Sequence, residues 1–393
     1  MTAVAALSLS PLDVACGLAL DPRPQPRPPA LPATTSTPER ALLDAVRPAL
    51  RRPPCLVSFS GGRDSSLVLA AAVRVAREEG LAPPIPVTNR FPGAPDADES
   101  RWQEQVIAQL GLADWRRLEL DDELDAVGPY ARRMLREHGL LWPFNVHFHL
   151  PLLDLARGGS LLTGLGGDQL LDVLRPPRQR TRARRLAHAA LVRAPRPVRA
   201  AVIAARDPLQ APWMRPAAAR AATRAMAAQL SARPRAPLAA RMEYELSLRY
   251  LRVTRQSLAV CAAAGDVLLA HPLCAPQLWS AVARACAPRD GFPGDERALR
   301  ALFGALLPDG LAARTDKASF DAVFYNRHGR AFARGWDGGG VPHELVDAEA
   351  LRGGWLSDAP PCLSLTLMQA AWLSAYPTLD HRPAHEPELG HTV

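Results

Sequence analysis

Four times between Cys55 and Thr163 a short apolar run gives way to an amphipathic stretch of helical period. The runs are Cys55–Phe59, Ile85–Thr88, Arg117–Leu120 and Ser160–Thr163. The stretches between them carry apolar residues at helical spacing, as in Leu67, Val68, Ala71, Ala72 and Val75, and end on glycine at Gly80 and Gly111. A helix of about four residues per turn between successive strands leaves room for one arrangement, a parallel, doubly wound sheet. The expected class is therefore α/β. Such sheets bind ligands at the carboxyl ends of their strands. Two glycine-bearing turns, after Phe59 and after Thr163, fall at such ends.

The first turn reads Ser60-Gly-Gly-Arg-Asp-Ser65. Gly61 and Gly62 let the backbone approach a phosphate without a Cβ in the way. Amides at the start of the next helix, and its dipole, favour an anion. The Ser60 and Ser65 hydroxyls can donate to it. Asp64 repels a phosphate directly, so a carboxylate at this place makes sense as a Mg²⁺ ligand.

Downstream of these strands the pattern changes. From Leu238 onward it is helical, with no strong strand signal. Residues 1–38 read as an N-terminal tail and Pro-rich linker, and residues 336–393 as a Gly- and Pro-containing C-terminal tail. Residues 39–335 are left as the folded unit. Within it, 175–235 hold fifteen arginines and one acidic residue, Asp207, whereas the whole chain nets +8. The basic character is thus one patch. Its aromatic content is Trp213 alone, poor for stacking bases, which argues against nucleic acid. A solvated helical insertion and a docking surface for an acidic peptide are the other readings. Six cysteines without a CxxC pair argue against a zinc site or disulfide scaffold and suit reduced thiols in the cytoplasm. No apolar run is long enough to span a membrane. Among 47 basic residues there is a single lysine, Lys317. Where arginine serves wherever charge alone is needed, a retained lysine marks a place a guanidinium does not fit.

The Ser60–Ser65 string resembles the pyrophosphate-binding loop of the ATP pyrophosphatase superfamily. Leu162-Thr-Gly-Leu-Gly-Gly-Asp-Gln-Leu170 resembles the second nucleotide segment of its asparagine synthetase, β-lactam synthetase and lasso-peptide cyclase branch. Leu306-Leu-Pro-Asp-Gly-Leu-Ala-Ala-Arg-Thr-Asp-Lys-Ala-Ser-Phe320 resembles that branch's late lysine segment. The resemblance spans roughly 39–334. It implies an adenine nucleotide α-hydrolase-like sheet with a largely helical C-terminal half. It implies ATP and Mg²⁺, with Asp64 and Asp168 holding the metal and Lys317 as the catalytic cation. Ser58, Ser60, Gly61, Gly62, Asp64, Ser65, Val87, Gly164, Gly166 and Arg314 would line the nucleotide, with adenine near Val57 and Val87. The implied reaction adenylates a carboxylate, releases pyrophosphate and passes the acyl group to an amine.

The chain also departs from the pattern. Thr2 follows Met1, where the asparagine synthetases carry cysteine, and only about fifty residues precede the loop, too few for an enzymatic domain. The expectation is a synthetase domain without its own glutaminase, with a separate amine- or ammonia-supplying or leader-binding protein as partner. Leu165 stands where those families place Glu or Tyr, and the second member of that dyad is expected near Ala263; neither residue can move a proton. Leu165 suits a bulkier or apolar acyl group, and the expected substrate is a peptide or specialised metabolite, a precursor peptide docking on the Arg-rich segment. General-base work, if needed, falls to His147 or His149, but a structural role for both beside the sheet is the preferred reading. A tRNA-modifying ATPase and a decayed binding scaffold are the alternatives.

Overall fold

A computed structural model describes residues 9–20, 30–175, 194–234, 237–287, 295–314 and 318–377. The chain enters through a short helix α1 (Pro11–Cys16) and then α2 (Pro38–Leu50). Next come β1 (Cys55–Ser58), α3 (Arg63–Glu79), β2 (Ile85–Arg90), α4 (Ser100–Leu110), β3 (Arg116–Glu119), α5 (Pro129–His138), α6 (Leu150–Leu155), β4 (Ser160–Leu162) and α7 (Gly167–Leu174). After α8 (Arg196–Arg206) and α9 (Pro216–Ala232) follow α10 (Leu238–Ser247), α11 (Arg249–Ala263), β5 (Leu268–Ala270), α12 (Pro276–Cys286) and α13 (Asp295–Phe303). The last described helices are α14 (Asp321–Phe324), α15 (Arg327–Gly335), α16 (Ala348–Trp355) and α17 (Leu365–Ala375).

The sheet is parallel throughout, in the order β3-β2-β1-β4-β5. The chain builds outward from β1 to β3, returns to the other side of β1 with β4, and leaves toward β5. The order reverses between β1 and β4, so the crevice outside their carboxyl ends is the ligand position of such a sheet. Neighbouring strand residues serve opposite faces. Leu56, Val87 and Leu161 pack into one apolar cluster with α5, α6, α11 and α17. Val57 and Leu162 pack into another with α2, α3, α7 and α12. Both faces of the central β1 and β4 are largely buried, which explains why those strands read as continuous apolar runs. Among the described residues no helix is long and apolar enough to cross a membrane.

Four expectations change. The region after Leu238 contains β5, a three-residue strand that gets its conformation from pairing with β4, Ser160 to Leu268 and Leu162 to Ala270. The pattern from Leu124 to Glu137 predicts a third helix there, and the helix begins only at Pro129. The chain before it turns around the buried Asp125, whose carboxylate accepts amide bonds from Val127 (3.0 Å), Asn326 (2.7 Å) and Gly329 (2.9 Å). In the expected N-terminal tail, α1 is a buried element: Ser10 and Asp13 form a capping box, and Ala15 and Cys16 have no exposure. Asp13 pairs with Arg249 at 2.9 Å. Beyond 335, α16 and α17 place Trp355, Leu367, Met368 and Trp372 in the first cluster, so the folded unit reaches at least to Ala375. Apolar residues there lie at helical spacing among glycines and prolines, and composition concealed them. The Arg-rich segment forms α8 and α9, packed on one another, with no residue of α8 buried; its residues 176–193 lie outside the described residues.

Candidate active site

Two helix N-termini meet at the switch point. α3 starts after Gly62 and α7 after Gly166, and neither N-cap residue supplies a side-chain cap. The two helix dipoles therefore add at the crevice and favour an anion there. The loop before α3 is pre-shaped by its serines. Ser65 Oγ accepts from the Ser60 amide at 3.3 Å and lies 3.1 Å from Ser60 Oγ, which accepts from the Gly62 amide at 3.2 Å.

The two loops are in contact. A Cβ on Gly167 would stand 2.1 Å from Asp64 Cγ and 2.3–2.4 Å from its carboxylate oxygens. Asp64 thus lies directly against the backbone that carries Asp168, the next residue. On the other side, Gly166 has φ +100, and a Cβ there would strike Cys274 Sγ at 2.5 Å. Cys274 donates its thiol to the Leu165 carbonyl at 3.2 Å. Burial pushes that thiol up to about 11, so it stays a donor. The Asp168 turn is clamped between the first loop and the turn after β5. Two carboxylates on adjoining turns at the focus of two helix dipoles fit one Mg²⁺, whose remaining ligands are water and phosphate oxygens. Among the described residues there is no cluster of three metal-ligating side chains, and Mg²⁺ shared with phosphates needs none.

Beside this crevice, on the β1–β2 side, lies a cavity of about 400 Å³ bordered by Asn89, Arg90, Glu99 and Gln103. A smaller recess lined by Ser58, Phe59, Ser60, Val87 and Phe320 adjoins it. Val87 is therefore on the expected wall. The Val57 side chain faces the α2–α3 layer with no exposure, so a nucleotide beside it meets backbone.

Arg314 is 6 % exposed, so it is no solvated surface arginine. It donates to the Gly61 carbonyl at 2.7 Å, pairs with the buried Glu99, and lies 5.1 Å over the Trp102 ring. It braces the first loop from behind. Gln103 does the same from the side, donating to the Ser60 carbonyl at 3.1 Å. Lys317 lies outside the described residues. Its flanks are at the site: Arg314 on the first loop, and Phe320 on the recess.

The histidines separate into two kinds. His147 is fully buried in a 3₁₀ turn, 144–149, with ring nitrogens 3.0 Å from the Phe144 carbonyl and 2.8 Å from that of Leu124. Burial lowers it to about 4, and it ties that turn to the Asp125 loop, a structural role. His149 sits two residues on, also lowered to about 4 by burial. The alternation of His147 and His149 predicts an extended stretch with both on one face, and the chain forms this 3₁₀ turn instead. His271, which opens the His271-Pro-Leu turn, stands at the carboxyl end of β5. Its Nδ1 is 2.7 Å from Thr163 Oγ1, on the strand end that leads to Asp168. The apolar run Val267–Ala270 before it was the available signal. Ala263 is at the other end of the sheet. It ends α11, and the Gly265 carbonyl there accepts from Gly158, at the amino end of β4. The second dyad position is therefore not Ala263.

The family model described as asparagine synthase matches residues 38–370. No curated protein matches the chain. The match takes in both loops, the clamp after β5, and α16 with most of α17, the same body that the apolar clusters define. Members of this family are ATP-dependent amide-forming ligases that release AMP and typically use Mg²⁺, and it is to the asparagine synthase family that this chain belongs.

Proposed function

We propose that this chain adenylates the carboxylate of a peptide or specialised metabolite with ATP and transfers the acyl group to an amine. The contact between the Asp64 carboxylate and Gly167, beside Asp168, carries the reading. It gives a metal-bound triphosphate two carboxylate ligands and two helix N-termini at one point. Asp64 and Asp168 would hold Mg²⁺, which would supply positive charge beside the departing pyrophosphate. Ser60, Gly61, Gly62 and Ser65 grip that pyrophosphate, and Gly164 and Gly166 let the second turn approach it. The adenine side lies over Ser58 and Val87. Lys317 offsets charge on the phosphates and on the reacting carbonyl as a compact ammonium. Arg314 acts through the Gly61 carbonyl.

Leu165 stands partly buried between the Asp168 turn and the first apolar cluster, which supports an apolar or bulky acyl group. The amine is a co-substrate or arrives from a separate protein. The exposed arginines of α8 and α9 suit an acidic precursor peptide. The test is product analysis: ATP, Mg²⁺ and a panel of carboxylic acids and encoded peptides, with AMP and pyrophosphate measured. Release of both, dependent on one acid, is expected. ADP and orthophosphate as products overturn the reading.

A further inference from the structure

On the β4–β5 side of Asp168, away from the nucleotide cavity, stands a group of side chains with no part in the scheme above. His271 follows β5, Thr163 follows β4, and the two strand ends are joined by the Thr163 amide donating to the Ala270 carbonyl at 3.1 Å. The Thr163 hydroxyl accepts from the Leu165 amide at 3.3 Å and faces His271 Nδ1 at 2.7 Å. The hydroxyl oxygen has a further lone pair that can accept from Nδ1–H, and in that tautomer the lone pair of the ring is on Nε2. Among the described residues Nε2 makes no hydrogen bond. Cys274, three residues on, clamps Leu165, so the imidazole and the Asp168 turn are held by one short stretch.

We propose that His271 is a catalytic residue of amide formation, its Nε2 accepting the proton of the attacking amine while Thr163 fixes the ring through Nδ1. This rests on the ligase reading of the site. The amine nitrogen bonds to the carbonyl carbon of the acyl-adenylate. The bond from that carbon to the phosphate oxygen breaks, and its electron pair leaves with AMP. The nitrogen's proton passes to Nε2 and then to solvent. A base held by a second group at its far nitrogen is the arrangement such transfers use. The other histidines lack it: both nitrogens of His147 face carbonyls, and His149 Nδ1 is sealed from solvent without a hydrogen bond of normal geometry. Burial, with Arg255 and His149 as neighbours, lowers His271 to about 3, which keeps the ring neutral and able to accept.

The experiment uses the full chain with ¹⁵N-labelled histidine. The Nδ1–H tautomer is expected at His271. Diethyl pyrocarbonate, mapped by mass spectrometry, is expected to label Nε2, and Mg²⁺ with α,β-methylene-ATP to slow that labelling at least tenfold. An Nε2–H tautomer, or no labelling, overturns the proposal. With an acid found by product screening, His271→Asn keeps a donor toward Thr163. It is expected to hold ATP–pyrophosphate exchange within about threefold and to lose amide formation at least a hundredfold. Hydroxylamine, unprotonated at neutral pH, restores most of that turnover. Thr163→Val lowers kcat with KM little changed. Equal loss of exchange and of hydroxylamine turnover overturns the proposal. If wild-type protein releases no pyrophosphate with any acid, the ligase reading fails, while tautomer and labelling still decide the geometry of His271.

Discussion

Asp64 lies so close to Gly167 that a single added carbon would stand 2.1 Å from its carboxyl carbon. Gly167→Ala is therefore expected to push Asp64 away from Asp168 while leaving both carboxylates in the chain. Affinity for Mg·ATP should fall at least tenfold, with a stability loss of only about 1–3 kcal/mol, the usual cost of overpacking. Calorimetric titration with Mg²⁺ and α,β-methylene-ATP, beside a urea melt, checks this. Wild-type affinity would show that the two carboxylates do not share a ligand.

Removing the charge of either carboxylate tests the same pair differently. Asp64→Asn and Asp168→Asn are each expected to cut pyrophosphate release at least a hundredfold with an unchanged melt. The double variant should lose little more than either single one, because a metal site acts as a unit. Independent, multiplying losses would separate the two residues.

Lys317→Arg keeps the charge and changes its shape. Turnover is expected to drop at least a hundredfold with stability unaltered, because a planar fork does not enter a crowded phosphate site as an ammonium does. Steady-state pyrophosphate release is the readout, and an active variant would remove the lysine from the mechanism.

Arg314 and Glu99 form a buried pair, 4 % and 8 % exposed at their side chains. Arg314→Met strips Glu99 of that cation and is expected to cost about 3–5 kcal/mol. Adding Glu99→Gln should recover much of the loss, since the uncompensated charge is gone. A double-mutant cycle in urea measures the coupling, and additive effects would mean that the pair is not coupled.

Acid should weaken the fold through His147. Its value falls from the ordinary 6.5 to about 4 by burial. Below pH 6.5 the unfolded chain takes a proton that the folded chain refuses, so stability is full above that pH and is lost as pH falls toward 4. The window is worth about 3 kcal/mol at most for one such group. His147→Asn should flatten part of the slope of unfolding midpoint against pH between 7 and 4. An unchanged slope would assign the acid sensitivity to other groups.

What could be read from the chain alone was what is local. The glycine turns, the strands before them and the αL caps at Gly80 and Gly111 each depend on a few adjacent residues. So Ser60–Ser65 and Thr163–Asp168 were legible as strand-end loops, and their meeting followed from the topology of such sheets. β5 was not legible, because three apolar residues become a strand only by lying along β4. Missing β5 hid His271 and misplaced the second dyad position at Ala263. The Arg314–Glu99 pair spans 215 residues and leaves no spacing to detect. α1, α16 and α17 were hidden by composition: short helices among prolines and glycines read as tails until their buried faces are seen against one another.

Those same elements govern how the protein is made. Gln369, in α17, donates to the carbonyls of Ala126 and Phe144 at 2.9 and 2.8 Å, and Trp213 donates to Ala15 at 2.8 Å. Every candidate nucleotide ligand precedes Phe320 in the chain, yet the layer behind the sheet stays open until Ala375 follows. A nascent or truncated chain ending near Arg334 presents Leu124, Met134 and Phe144 to solvent, the kind of surface that draws chaperones and aggregates.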